Sequence, residues 1–527
     1  MLHRGDRGAG VNVGLAVTRS ARRYGSRTAV FDDDREVSYS ELEARSNRLA
    51  NALTDGLGLE RGSKIAFSSP NRIEVAEVMA GVAKAGMTYV GLNFRLSEQE
   101  LVSIFENSQP AAVIVDGPSR ELLEAVNADL GAPLIDLDDE GPQGYEQLLL
   151  EASDRPPDTL HSVWPDDDFC IVYTSGTTGT PKGVWFDHGR VLQHATVAVI
   201  EYEISAATRY LMAIPHNSSV NITLVPVLTM GGAIGFFESR GFDGLRYAEA
   251  VERHAATHSY LVPTQLYRLL DQLPKDSQAL RSVVTLGYGA APMAPERTRE
   301  MVERFGPIFN QLYGMAEIAS IGSILRKEDH VRALEHRPEL FGSAGQPSYA
   351  VDTRVVNDAR EDVSPGERGE VIFAGPHVMK GYYRDPERTA ETLIDGWVHS
   401  GDIAEVDEEG YIYIVDRKKD LMIIGGHNVA PSEIEAVIHE HPDILEVGVI
   451  GVPSKEWGES ILAVAALRPG ATASAEEIQE WCRDNAQLPT VKTPERVELV
   501  DALPKNAIGK IAKNELRERY WTDARRV

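Results

Sequence analysis

Cysteine is almost missing from this chain: Cys170 and Cys482 are the only two in 527 residues. That excludes a disulfide framework and any cysteine-based zinc site. Cys170 lies in the apolar run Phe169-Cys-Ile-Val172 and reads as a small buried hydrophobe. Positive charge is also scarce. Lys and Arg number 53 against 80 Asp and Glu, a net charge of −27 with a pI near 5.0. Such a balance excludes a nucleic-acid partner, which needs a basic face, and it requires any polyanionic ligand to be met by a local group of cations. No run of about 18 apolar residues occurs, so no integral membrane segment is expected. The opening Met1–Gly10 has no apolar core of the signal-peptide kind, and the chain reads as cytoplasmic. Short-period repeats and low-complexity segments are absent, and so is the G-x-x-x-x-G-K-[ST] spacing of the common P-loop.

What is present suffices for two or more domains, since 527 residues with 43% hydrophobic content exceed one core. Helical spacing over Ser38–Leu53, with Ser40 as N-cap, alternates with further helices over Ile73–Lys84 and Arg246–Ala256. Apolar runs at Ala111–Asp116, Phe169–Val172 and Ser259–Pro263 read as strands between them. The alternation predicts an α/β fold with much parallel sheet. From Gly366 onward the chain turns β-rich, at Gly366–Ala374 and Gly410–Val415. The charged run Asp416–Asp420 then reads as a domain boundary, followed by a small α+β domain with a helix over Pro431–Glu440 and a strand over Ile444–Ile450.

The most informative segment is Tyr173–Gly183, Y-T-S-G-T-T-G-T-P-K-G. Gly176, Gly179 and Gly183 permit close backbone approach to a ligand. Thr174, Ser175, Thr177 and Thr178, with consecutive free N–H groups, can wrap an anion. Lys182 adds a point charge suited to phosphate. A strand feeding such a loop is a polyphosphate cradle.

This loop resembles the phosphate-binding signature of the adenylate-forming enzymes: acyl- and aryl-CoA ligases, luciferases and peptide-synthetase adenylation domains. Further motifs follow in that family's order up to about residue 517. The resemblance implies a large N-terminal AMP-binding domain of sheets packed by helices plus a β-rich part (residues 1–416), a hinge at 417–419 centred on Lys419, and a small mobile C-terminal lid (residues 420–527). It also implies ATP, Mg²⁺ and coenzyme A. In Leu312–Glu317, Tyr313 and Gly314 would meet adenine, Met315 would face the acid, and Glu317 would hold Mg²⁺. Ala316 replaces the usual Thr. Gly289, Ala290 and Ala291 would form a small-residue turn beside adenine and the acyl group. Asp402, in G-W-V-H-S-G-D, and Arg417 would hold the ribose. Lys510, in L-P-K-N-A-I-G-K, would be the adenylation lysine, with Lys182, Thr174 and Glu317 as its catalytic company. Gly425 and Gly426 would line a channel for an incoming thiol once the small domain swings.

One segment departs from the family pattern. In Ile214–Asn221 (I-P-H-N-S-S-V-N), either Ser218 or His216 takes the place of a gating histidine, and Asn221 that of a common Gly. The polar wall points to an acid bearing a carbonyl or hydroxyl. The expected activity is ATP-dependent activation of a small-molecule carboxylic acid through an acyl-adenylate, then thioester formation with coenzyme A. A carrier-protein thiol or an amino-acid amine is the alternative acceptor.

Overall fold

The computed structural model describes residues 10–142, 144–174, 181–218, 223–237, 241–424, 427–454, 458–484, 488, 492–505 and 511–521. Among the candidate site residues, Ser175, Gly176, Thr177, Thr178, Gly179, Asn221, Gly425, Gly426 and Lys510 lie outside these, as does the side chain of Ser218. The chain divides into two compact units, Met1–Thr353 with Phe373–Val398, and Arg354–Ile372 with His399–Val527.

The first unit is built on two sheets. A seven-stranded sheet has a parallel core formed by Lys64–Ser68, Thr88–Leu92, Ala112–Val115, Leu134–Asp136 and Asp168–Thr174. Lys182–Asp187 and Gly381–Tyr382 extend it antiparallel at one edge. A nine-stranded sheet carries the parallel strands Thr28–Phe31, Arg209–Met212, Ala233–Phe236, His258–Leu261, Thr285–Gly289 and Phe309–Tyr313. These strands are short, apolar and buried, as parallel strands covered on both faces must be.

Local signals explain the helices. Ser97 and Glu100 form a reciprocal capping box that starts Glu98–Ser108. The helix expected from Ser38 runs over Tyr39–Asn51, and its N-cap is Ser38 instead of Ser40: the Ser38 hydroxyl accepts from the Glu41 amide. The helix Glu74–Ala85 is buried along its whole length and ends at Gly86 in the left-handed region.

The second unit has its own sheet and core. Ile444–Ser454 and Gly458–Leu467 form a long antiparallel hairpin, joined by Met422–Ile424 and, in parallel, by Arg496–Leu499. The helix Pro431–His439 packs Ile434, Val437 and Ile438 into a core with Val447, Val449 and Ile461. In the same unit Ile412–Arg417 pairs antiparallel with the residues around Asp402.

Candidate active site

The strands on either side of the expected phosphate loop pair with each other. Asp168–Thr174 and Lys182–Asp187 are antiparallel, with Thr174 opposite Lys182 and Tyr173 opposite Gly183. Directly paired residues share a face, so the Thr174 hydroxyl and the Lys182 ammonium flank the loop on the same side. A Cβ on Gly183 would stand 2.7 Å from Ile171 and 3.0 Å from the Tyr173 ring, which is why that position is glycine. Tyr173 is anchored by a 2.5 Å bond from its hydroxyl to Asn107. The Thr174 Oγ1 is buried and has no hydrogen-bond partner among the described residues.

Lys182 and Glu317, 135 residues apart in sequence, meet here. The Lys182 Nζ lies 2.5 Å from Glu317 Oε1. Tyr382 completes the group: its hydroxyl donates to the same Oε1 at 2.5 Å and lies 2.7 Å from the Lys182 Nζ. The ammonium also stands 4.6 Å from the Tyr382 ring centroid. Strand register explains this. Tyr382 pairs with Val184, and Lys182 lies two residues before Val184 on the same face. Burial, and then the neighbouring Glu317 carboxylate, push the Tyr382 phenol pKa upward, so it stays protonated and donates. Glu317 sits in a 3₁₀ turn over Ala316–Ile318, and the Met379 amide donates to its carbonyl at 2.8 Å. It is buried, only 2% exposed.

The donor set fits Mg²⁺. Glu317 Oε1 is committed to Lys182 and Tyr382, whereas Oε2 has no partner among the described residues. Among the described residues no group of three or more His, Cys, Asp or Glu is arranged to hold a metal. A single carboxylate is nevertheless what Mg²⁺ uses when substrate phosphates and water supply its remaining ligands.

The residues expected beside adenine lie at strand ends of the same unit. Tyr313 ends its strand and packs on Phe373, with ring centroids 5.8 Å apart. Gly314 is obligatory, because a Cβ there would approach the Ser320 carbonyl oxygen to 2.6 Å. Met315 caps the 3₁₀ turn that carries Glu317. Gly289 ends the neighbouring strand, where a Cβ would meet the Leu312 carbonyl oxygen at 2.2 Å. Ala290 follows in the left-handed region at φ 67°, strained backbone of the kind held at functional turns, and Ala291 continues the bend.

In the second unit, Asp402 and Arg417 are direct register partners, with Arg417 Nε 3.3 Å from Asp402 Oδ1. The Ser400 hydroxyl fixes the turn before Asp402: it donates to the Val371 carbonyl at 2.6 Å and accepts from the Asp402 amide at 2.9 Å. Asp402 is mostly buried and Arg417 half-exposed, so one guanidinium nitrogen stands beside a carboxylate shielded from solvent. Lys419 is exposed in the turn that follows.

His216 lies in a 3₁₀ turn over His216–Ser218 and is buried. Its Nδ1 bonds the Tyr89 hydroxyl at 2.9 Å and its Nε2 the Ser69 carbonyl at 3.0 Å. Because Nε2 faces a carbonyl it must carry the proton, so Nδ1 accepts from Tyr89. Burial lowers its pKa to about 4, so the ring is neutral. Sequence reasoning missed Tyr382. The dipeptide Tyr382-Tyr383 looks like core packing, and only the strand pairing with Val184 exposes its role.

The profile of the AMP-binding enzyme family matches residues 17–383, and that of the AMP-binding enzyme C-terminal domain matches residues 433–510. The chain belongs to the AMP-binding enzyme family. Among its curated relatives, feruloyl-CoA synthase of an Amycolatopsis species is 37% identical over 505 residues, spanning 95% of this chain and 98% of that protein. Among solved structures, ATP-bound MatB from Rhodopseudomonas palustris superposes with a TM-score of 0.86 at 29% identity, covering 97% of this chain and 99% of the other. The amide bond synthetase McbA from Marinactinospora thermotolerans gives 0.85 at 28% identity, covering 97% and 100%.

Proposed function

We propose that the chain is an AMP-forming acid–CoA ligase. A carboxylate oxygen of the acid attacks the α-phosphorus of ATP, pyrophosphate leaves, and an acyl-adenylate forms. The thiol of coenzyme A then attacks the acyl carbon and expels AMP, leaving a thioester. The observation that carries this reading is the Lys182–Glu317 pair, with Lys182 at the start of the strand Lys182–Asp187. It lies in a chain aligned over 95% of its length with a feruloyl-CoA synthase.

Each residue then has a task. Thr174, Ser175, Gly176, Thr177, Thr178 and Gly179 wrap the phosphates, and Lys182 offsets their charge. Glu317 holds Mg²⁺, which when bound neutralises charge on the phosphates. Tyr382 keeps the Glu317 carboxylate in place. Asp402 accepts from the ribose hydroxyls, steadied by Arg417. Tyr313, Gly314, Gly289, Ala290 and Ala291 bound the adenine. Lys510 stabilises the charge gathered between carboxylate and α-phosphate. Domain alternation about Lys419, between residues 1–416 and 420–527, would bring Lys510 for the first step and Gly425 and Gly426 for the second. His216, Ser218, Asn221 and Met315 wall the acid pocket, whose polar character favours an oxygen-bearing acid.

A second reading has an amine as acceptor, giving an amide; the likeness to an amide bond synthetase favours keeping it. No helix among the described residues is long and apolar enough to cross a membrane. Mass spectrometry after incubation with ATP, Mg²⁺, coenzyme A and a panel of aliphatic, aryl and oxo- or hydroxy-acids tests the reading. Acyl-CoA with AMP is expected; acyl-adenylate without acyl-CoA would move the acceptor to an amine or a carrier thiol.

A further inference from the structure

The parallel strands of the nine-stranded sheet put several tyrosines on one face. Register places Tyr210, His258 and Thr285 in one row, and Met212, Tyr260 and Gly287 in the next. Side chains alternate along a strand, so Tyr210, Tyr260, Gly287 and Gly289 share a face. Tyr202 reaches the same face from the end of the helix His188–Glu201: a Cβ on Gly287 would stand 2.5 Å from its hydroxyl. A Cβ on Gly289 would stand 3.0 Å from the Tyr260 hydroxyl.

The hydroxyl of Tyr202 is buried without a hydrogen-bond partner among the described residues, whereas that of Tyr210 faces the Thr223 hydroxyl. Several other buried phenols of this unit are satisfied. Tyr39 donates to the Leu228 and Gly232 carbonyls, Tyr145 to Glu77, and Tyr288 bonds Gln311 and His330. Tyr247 also lacks a partner, but it approaches the opposite face, at Ser259. A buried hydroxyl left unpaired is costly, so that of Tyr202, beside two further phenols on one face, calls for a polar atom to meet it. Gly287 and Gly289 leave bare backbone on that face, leading straight to the strained Ala290 turn. Bare peptide planes suit a flat ring lying against them.

We propose that Tyr202, Tyr210 and Tyr260 form the far wall of the acid site and select a planar aromatic acid bearing a hydroxyl or alkoxy oxygen on its ring. The proposal rests on the ligase reading above. A substrate oxygen accepts from, or donates to, the Tyr202 phenol that otherwise stays unpaired. An acid without that oxygen leaves it so, and a site built for hydrogen bonding rejects such an analogue more strongly than an apolar site rejects an added group.

The test compares 4-hydroxycinnamic acid with cinnamic acid, which differ only in the ring hydroxyl, by acid-dependent pyrophosphate release. For the wild type, kcat/KM should favour the hydroxylated acid by about tenfold or more. Tyr202→Phe, Tyr210→Phe and Tyr260→Phe should each lower that ratio, by roughly three- to tenfold. Three separate substitutions, with thermal melting measured alongside, keep a folding defect in one from deciding the result. A wild-type ratio near one, or a ratio unchanged in all three variants, overturns the proposal. Activation of aliphatic acids alone also overturns it while leaving the ligase reading intact. Failure of every acid in a broad panel to give an adenylate overturns the ligase reading itself.

Discussion

Glu317 Oε1 accepts from two donors at once, the Lys182 ammonium and the Tyr382 hydroxyl, each at 2.5 Å. One carboxylate oxygen is thereby fixed, and its twin has no partner among the described residues. The Glu317→Gln variant keeps the shape and loses the charge. Its adenylation rate should fall by about 10²–10³, measured by ATP–pyrophosphate exchange. Thioester formation from a supplied acyl-adenylate should change far less. Equal losses in both half-reactions would remove Glu317 from the metal role.

Tyr382→Phe removes one of the two donors without touching the phosphate loop. Outer residues that orient a metal ligand typically contribute about tenfold or more to metal affinity. The Mg²⁺ concentration for half-maximal adenylation should therefore rise by about tenfold, with the rate at saturating Mg²⁺ largely recovered. An unchanged Mg²⁺ titration would show that Tyr382 only packs.

The register pair Asp402 and Arg417 predicts discrimination by the sugar. Wild type should prefer ATP over 2′-deoxy-ATP, and Asp402→Asn should erase most of that preference, because the charge-assisted bonds to the ribose are gone. Steady-state kcat/KM for the two nucleotides decides it. A preference that survives the substitution would place the ribose elsewhere.

Stability should fall on mild acidification. Burial lowers the pKa of His216, His258, His330 and His377 to about 4, and that of His188 and His194 to about 3. The ordinary value is about 6.5. Between the two values the unfolded chain binds protons that the native chain refuses. Stability is thus fully present above pH 6.5 and drains away as pH falls toward 4, by up to about 1.4 kcal/mol per pH unit for each histidine. Urea midpoints at pH 7.5, 6 and 5 should drop steeply across the lower two. A midpoint that stays level to pH 5 would contradict the burial of these rings.

Lys510→Ala should abolish acyl-adenylate formation yet spare thioester formation from a supplied adenylate. Survival of both half-reactions, followed by liquid chromatography, would strip Lys510 of its assigned role.

Much of the site was legible because nucleotide binding constrains short contiguous segments. Lys182 and Glu317 stand out in their motifs, and the structure joins them. Asp402 and Arg417 stand out likewise and emerge as ladder partners. Position within an element was less legible: Ser38 rather than Ser40 caps the helix Tyr39–Asn51, since either serine suits the pattern and only the turn geometry chooses. Tyr382 was invisible, because its partnership depends on an edge strand contributed by Gly381–Tyr382, almost 200 residues beyond Lys182. The burial of His216 between Tyr89 and Ser69 likewise arises from contacts distant in sequence.

The strand Thr285–Gly289 serves two masters. Gly287 and Gly289 belong to the face that carries the phenols, while Leu286 and Tyr288 are locked into the opposite side, Tyr288 through Gln311 and His330. Two structural demands therefore fall on alternate residues of one five-residue segment. Change at Gly287, which faces the Tyr202 hydroxyl, can retune the proposed acid wall, whereas Gly289 is held by the Leu312 carbonyl and Tyr288 by its hydrogen bonds, so a new specificity need not begin by weakening the scaffold.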